Sequence, residues 1–400
     1  MDRSSTRNSL LERGINFFGL SIGLISLVFI VRVVLDTSFR MVYPFIPQIS
    51  AGLKLSITAF SWLLTVRSLS GLFGSLMGIL ADKYGRRKIM GLGLVSQCLG
   101  TMGIAFSTGW WSVIPMLLVG IAMNTFLPAQ QAYISDLAPY ERRGRALASV
   151  DIAFAFSGMA MMPIVGWILD TWGWRVPFLV LGPLSLISAL AIWYKLPATE
   201  ERSVSAYGGF WNVLKRSNVI VAIIVAMFFF IAVGIFMTFW GIWLSTDYGF
   251  DALALGFVAT GIGIAELCGA AFSGLFIDQI GKRRGSLIGI ALAAVLFLMI
   301  PFTQGNLLWI RIVLIVGGIL VEYGIISLFP LYGEQAPDAR ATVFSLVALG
   351  NTIGLGFGPP LTVALWNWRG LGAVTSVGAI SLVIAFFLVL LFLRDQPSTA

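Results

Sequence analysis

Six ionisable residues sit inside long apolar runs of this chain: Arg32, Asp36, Arg40, Arg67, Glu266 and Glu322. A charge surrounded by hydrocarbon is expensive to keep, so such residues mark binding sites, ion paths or paired clusters. Arg32, Asp36 and Arg40 recur every four residues and stack plus, minus, plus along one helix face. A guanidinium offers five N–H donors in a planar fork that suits an anionic or polar partner. Three Arg around one Asp leave a positive excess, so Arg32 and Arg40 are read as binders of an anionic or polar group. A purely structural ion cluster is the alternative. The same positive surroundings make Asp36 a weaker proton carrier than its position suggests. Glu266 and Glu322 differ, since neither has a basic residue within four positions. A desolvated, unpaired carboxyl can load and release a proton near neutral pH; otherwise each bridges to an Arg elsewhere in the chain.

The elements that must hold these groups are membrane helices. Hydrophobic residues make up 58% of the chain and charged residues 11%, against about 25% charge in a soluble domain; mean hydropathy is +0.93. Apolar runs are expected to span the bilayer near 20–46, 58–81, 89–108, 111–134, 146–170, 174–194, 218–244, 252–277, 286–304, 308–332, 342–366 and 370–393. Runs this long and non-alternating are helices, because backbone in lipid must satisfy its own hydrogen bonds. The first run is long and lacks a small-residue cleavage site, so no signal peptide is expected. Cys98 and Cys268 lie in apolar runs, which argues against a disulfide framework. Histidine is absent, removing the commonest metal ligand and near-neutral proton switch. The net charge of +8 is topological rather than a nucleic-acid signal. Of 26 Lys and Arg, 19 fall on the side of the termini, 4 on the opposite side and 3 inside spans. The positive-inside rule then places both termini in the cytoplasm.

Enzyme chemistry finds no footing here. The chain has no HExxH, no Walker loop, no Cys–His pair and no soluble domain large enough for an ATPase. No cofactor and no metal are expected. The expected partners are a small molecule, protons and the lipid bilayer, with the chain acting as a monomer.

A repeat divides the chain. The segment from Gly78 to Lys88 (GILADKYGRRK) returns about 196 residues later from Gly274 to Arg284 (GLFIDQIGKRR). Ala138-Pro139 with Arg142 and Ser149 matches Ala336-Pro337 with Arg340 and Ser345, Pro163 matches Pro359, and Trp174-Arg175 matches Trp368-Arg369. One long polar connection, 195–217, separates an N-terminal bundle (1–194) from a C-terminal bundle (218–400). The small-residue rows Gly71, Gly74, Gly78 and Gly350, Gly354, Gly358 allow close helix packing.

The pattern G-x-x-x-D-[RK]-x-G-[RK]-[RK] closely resembles the signature of the major facilitator superfamily, in the loop between its second and third helices. The first copy matches in full, and the second departs at Gln279. The segment from Ala132 to Arg145 resembles the superfamily's loop after helix four. Gly166 to Asp170, with Gly173-Trp174-Arg175, resembles the end of helix five in drug–proton antiporters. Two positions depart from those relatives: Met116 stands where they carry Arg, and Met162-Pro163 where they carry Gly-Pro.

The resemblance implies an all-α integral membrane protein of twelve transmembrane helices in two homologous six-helix bundles, working by alternating access. It implies a cytoplasmic latch of Gly78, Asp82, Gly85, Arg86, Arg87, Arg142, Asp278 and Gly281, with Arg142 as a partner for Asp82. It also implies that span one and span ten line a central cavity. Candidate substrate contacts are then Arg32, Asp36, Arg40, Arg67, Tyr43, Asn124, Trp240 and Tyr323. Glu322 leads the proton-coupling candidates, followed by Glu266 and Asp36. The expected activity is proton-coupled export of a small amphipathic organic compound across the inner cell membrane. The alternatives are proton-symport uptake of an anionic metabolite and an uncoupled facilitator.

Overall fold

Apolar segments that must satisfy their own backbone in lipid become helices here. The computed structural model describes residues 19–197 and 210–394, and among them there is no strand. In chain order the helices are α1 (Ile22–Arg40), the short α2 (Ile46–Gly52), α3 (Ile57–Leu69), α4 (Gly74–Tyr84), α5 (Arg86–Phe106), α6 (Val113–Leu137), α7 (Arg143–Phe156), α8 (Met162–Trp172), α9 (Val176–Lys195), the short α10 (Phe210–Leu214), α11 (Ser217–Tyr248), α12 (Ala252–Ile280), α13 (Lys282–Met299), α14 (Leu307–Gly333) and α15 (Arg340–Phe392). The centre of the connection expected at 195–217 lies outside the described residues.

Ten of these helical segments are long and apolar enough to cross a membrane, and an eleventh arises where α2 and the start of α3 meet at 101°. The run into α4 continues through a 3-10 turn at Ser70–Phe73. A twelfth crossing is hidden in α15. Its 51-residue apolar stretch would reach about 77 Å at 1.5 Å per residue, more than twice a hydrocarbon core of about 30 Å. The helix breaks at Arg369 (φ −143°) and Gly370 (φ +68°), and those two residues return the chain through the bilayer. Twelve crossings put both described ends on one side of the membrane, called here the terminal side.

Local chemistry sets the boundaries. Ser21, Ser56 and Asp251 each accept a hydrogen bond from the first turn of the helix they start. Gly85 (φ +90°, ψ 131°) and Gly281 (φ +89°, ψ 138°) hold the same left-handed corner between consecutive helices. Only glycine adopts that corner without strain, so the sequence repeat is also a repeat of backbone geometry. On the far side, Arg175 lies over Trp174 at 4.6 Å and Arg369 over Trp368 at 4.7 Å, a second matched pair. Phe106, Trp111, Phe302 and Trp368 are exposed near far-side turns, and Tyr84, Tyr140 and Tyr194 near terminal-side ones. Aromatic residues at both ends of a helical slab are the interfacial belts of a membrane protein.

Candidate substrate and proton site

The in-span charges converge between the two sets of six crossings. Arg40, at the end of α1, donates from Nη1 (2.7 Å) and Nη2 (3.1 Å) to the two carboxylate oxygens of Glu266 on α12. Both side chains are buried. The guanidinium also lies over the Phe154 ring at 4.4 Å and donates to the Phe154 carbonyl at 3.4 Å. Gly158 makes this fit possible: a Cβ there would stand 2.8 Å from Arg40 Nη2. A buried, two-pronged pair of this kind is strong only while both partners stay in place.

Arg32 has its own partners. Its Nε donates to Asp36 at 3.0 Å, and its Nη1 to Gln130 at 2.9 Å and to Asp151 at 3.4 Å. Two expectations are thereby corrected. The positive excess around Arg32 and Arg40 does not exist, because Asp151 and Glu266 supply the missing negative charge. Nor is Glu266 unpaired, because the fold brings it the guanidinium of Arg40 from 226 residues away in sequence. Arg67 is the exception. It is fully buried, with Nη1 donating to the Phe39 carbonyl at 3.0 Å and its guanidinium over Phe39 (4.2 Å) and Tyr43 (5.0 Å).

The Arg40–Glu266 pair borders a cavity that Tyr43, Met162, Phe236, Met237 and Trp240 also line. Its volume of about 30 Å³ holds one or two waters, so in this conformation it is narrow. Glu322, on α14, is half-buried, makes no ion pair among the described residues, and lies in electrostatic reach of Glu266, Arg40 and Asp151. Tyr323 is not at the cavity. Its ring packs inside the last six crossings against Phe272 at 5.9 Å, and glycines 285 and 289 of α13 leave room for it. The reason is helical periodicity: next to Glu322 on α14, it points about 100° away. Asn124 lies beside Arg67, in a separate cleft.

The far side is sealed between the two sets of crossings. Helix α8 lies so close to the start of α12 that a Cβ on Gly166 would meet the Ala252 carbonyl, and one on Gly256 would stand 2.7 Å from the Met162 carbonyl. Asp170 accepts from the backbone N–H groups of Ala252 (3.2 Å) and Leu253 (2.7 Å), capping a helix of the other set. Pro163 has no N–H to offer the Met159 carbonyl, and a π turn at Ser157–Met161 precedes it. The Thr260 hydroxyl of α12 takes that carbonyl at 2.9 Å. Gly166→Val is therefore expected to force α8 off α12 and lower stability by about 1–3 kcal/mol. Thermal unfolding together with thiol labelling of a cysteine at Ala252 checks it; unchanged melting and labelling would mean that the interface yields freely.

On the terminal side, Gly85 and Gly281 form the two corners, while the surroundings of Gly78, Asp82 and Asp278 lie outside the described residues. Arg86 pairs with Asp136 and also donates to the Ala132 carbonyl. Arg87 donates to the Leu196 carbonyl at 2.8 Å and lies over Trp193 at 5.4 Å. Both arginines thus tie crossings within the first set of six. Arg142 packs near Gly19. Four site residues were missed by sequence reading: Gln130, Asp151, Asn351 and Thr352. Asp151 carried a legible signal, a carboxylate inside the fifth expected span. The other three are neutral and look like ordinary helix residues until the fold sets them beside a charge.

Twelve crossings around a buried ion pair and a narrow central cavity define a multi-pass membrane transport protein. The family model of the Major Facilitator Superfamily matches residues 28–241 and 222–400, and the chain belongs to that family. It is 27% identical over 286 residues to the multi-drug resistance efflux pump PmrA homolog of Lactococcus lactis subsp. lactis (strain IL1403), covering 68% of this chain and 70% of that one. It is 23% identical over 333 residues to the sialic acid transporter NanX of Escherichia coli (strain K12), covering 81% of each. Among solved structures, a bacterial homolog of the human lysosomal transporter Spinster superposes with a TM-score of 0.76 at 17% identity, over 94% of this chain and 98% of that one. A D-xylose–proton symporter gives 0.75 at 15% identity, over 93% and 98%.

Proposed function

We propose that this chain is a proton-coupled secondary transporter that exports a small amphipathic organic compound by alternating access, with 1–194 and 218–400 as the two moving bundles. The observation that carries the reading is the buried Arg40–Glu266 pair. It joins the two bundles at the wall of an apolar cavity and must rearrange whenever they rock apart. Aromatic and methionine walls suit an apolar body. Glu322, half-buried nearby and without an ion pair among the described residues, is the proton carrier. The far-side contacts between the bundles leave the terminal side as the one toward which the cavity would open, and the charge bias assigns that side to the cytoplasm of an inner membrane. The efflux relative agrees with export.

Uptake of an anionic metabolite is the second reading, favoured by the absence of a carboxylate partner for Arg67 among the described residues and in keeping with the sialic acid relative. Proteoliposomes with an imposed pH gradient test both. Accumulation of an amphipathic fluorophore by inverted vesicles supports export. Accumulation of an organic acid by right-side-out vesicles supports uptake, and equilibration without accumulation in either supports a facilitator.

Asp82 belongs to the latch in this reading. Asp82→Asn is expected to slow turnover while leaving substrate affinity within a few-fold, because its loop is roughly 20 Å from the cavity by helix rise. Transport rates and equilibrium binding on one preparation separate the two. Lost binding with normal exchange between conformations would make Asp82 a ligand contact.

A further inference from the structure

A second cleft opens beside the central cavity, walled by Phe39, Arg67, Asn124, Phe230, Asn351 and Thr352, with a volume of about 110 Å³. It is drawn from both bundles: Arg67 and Asn124 come from α3 and α6, and Asn351 and Thr352 from α15. Arg67 is fully buried, yet its Nε and Nη2 have no hydrogen-bond partner. No carboxylate pairs with it among the described residues; the Tyr43 hydroxyl, itself without a hydrogen bond, is the polar group that lies toward it. An isolated buried cation is costly enough that proteins pair it or lose it. This one is held in place. Its carbonyl accepts from the Ser70 hydroxyl at 2.6 Å, and two aromatic rings lie against the guanidinium. Gly71 keeps the cleft open, since a Cβ there would stand 2.7 Å from Thr352 Oγ1 and 3.0 Å from Asn124 Oδ1. Asn351 Oδ1 is also buried without a donor.

A planar fork with two idle donors fits a carboxylate, and an idle amide oxygen beside it fits a hydroxyl or amide hydrogen. Tyr43 is shared: it lines the apolar cavity and lies against Arg67. We propose that this cleft takes the carboxylate of an amphipathic organic anion, whose apolar body extends past Tyr43 into the cavity walled by Met162, Phe236 and Trp240. The inference rests on the transporter reading and narrows its substrate to organic anions. It also gives the two bundles a shared ligand, so binding draws α3 and α15 together.

The test is equilibrium binding to the detergent-purified chain, without any gradient, using benzoate, octanoate, the neutral isostere benzamide, and chloride. Benzoate or octanoate is expected to raise the melting temperature in proportion to the logarithm of concentration, and benzamide and chloride are not. Arg67→Gln should weaken carboxylate binding about tenfold or more, while Arg67→Lys keeps part of it. The unliganded Arg67→Gln protein should melt no lower than wild type, because it loses an unpaired charge. Equal responses to benzoate and benzamide overturn the proposal. So does undiminished carboxylate binding by Arg67→Gln, a wild-type shift by chloride alone, or no shift by either carboxylate. A transporter that fails to move substrate yet binds benzoate through Arg67 refutes the coupling reading and leaves the cleft standing. Intact transport with no Arg67-dependent carboxylate binding does the reverse.

Discussion

Glu266→Ala is expected to destabilise the protein by about 3–5 kcal/mol, the loss seen when one member of a buried ion pair is removed. The physical cause is what remains. Arg40 keeps its Phe154 contacts, a ring at 4.4 Å and a carbonyl at 3.4 Å, but its buried charge loses the only carboxylate that bonds it directly among the described residues. Arg40→Ala strands the Glu266 carboxylate in the same way and should also abolish saturable substrate binding. Arg40→Lys keeps the charge without the planar fork, so it should retain part of both functions. The double variant Arg40→Met with Glu266→Met removes both charges and should recover much of the lost stability while remaining inactive. Thermal unfolding of the four variants against wild type measures this. A Glu266→Ala protein that melts like wild type would show that the pair carries no stability and that the bundles are held by the α8–α12 contact alone.

Glu322→Gln is expected to eliminate pH-driven accumulation while leaving exchange of substrate across the membrane intact. A group that carries protons must be neutral in one state and charged in another, and Gln fixes the neutral form. Glu322 suits the role by position: it is on the tenth crossing, half-buried, without an ion pair among the described residues, and close enough to Arg40 and Glu266 to sense whether their bridge is closed. When the bundles separate and Arg40 leaves Glu266, the field at Glu322 changes, and in the proposed mechanism that change couples protonation to conformation. Counterflow and ΔpH-driven uptake on one batch of proteoliposomes give the comparison. If Glu322→Gln still concentrates substrate under ΔpH alone, the proton path runs through Asp36 or Glu266, or the chain is an uncoupled facilitator.

Much of the architecture was legible in the sequence because the bilayer enforces it. Twelve apolar runs of the right length can only be helices in lipid. A repeated corner glycine can only mean a repeated turn, as Gly85 and Gly281 confirm with matching dihedral angles. The turn that splits α15 could be foreseen from Trp368-Arg369-Gly370, although the helix runs through it with only two residues out of helical geometry. In-span charges were legible as important for the same reason: hydrocarbon makes each of them expensive.

Pairing was what the sequence could not supply. It left Glu266 either free to carry a proton or bridged to some Arg elsewhere, and could not name Arg40, since nothing along the chain links residues 226 positions apart. It made Arg32 and Arg40 the leading binders and Arg67 a further candidate contact. The fold gave Arg32 to Asp36, Gln130 and Asp151, gave Arg40 to Glu266, and left Arg67, alone of these three arginines, without a carboxylate among the described residues. It also turned Tyr323 into packing and brought Asn351 and Thr352 to Arg67 from the other bundle. A sequence by itself fixes which charges must be buried, because burial follows from hydropathy and length, both local quantities. Which buried charge meets which depends on the rotation and depth of each helix, and those are decided by packing between segments far apart in the chain.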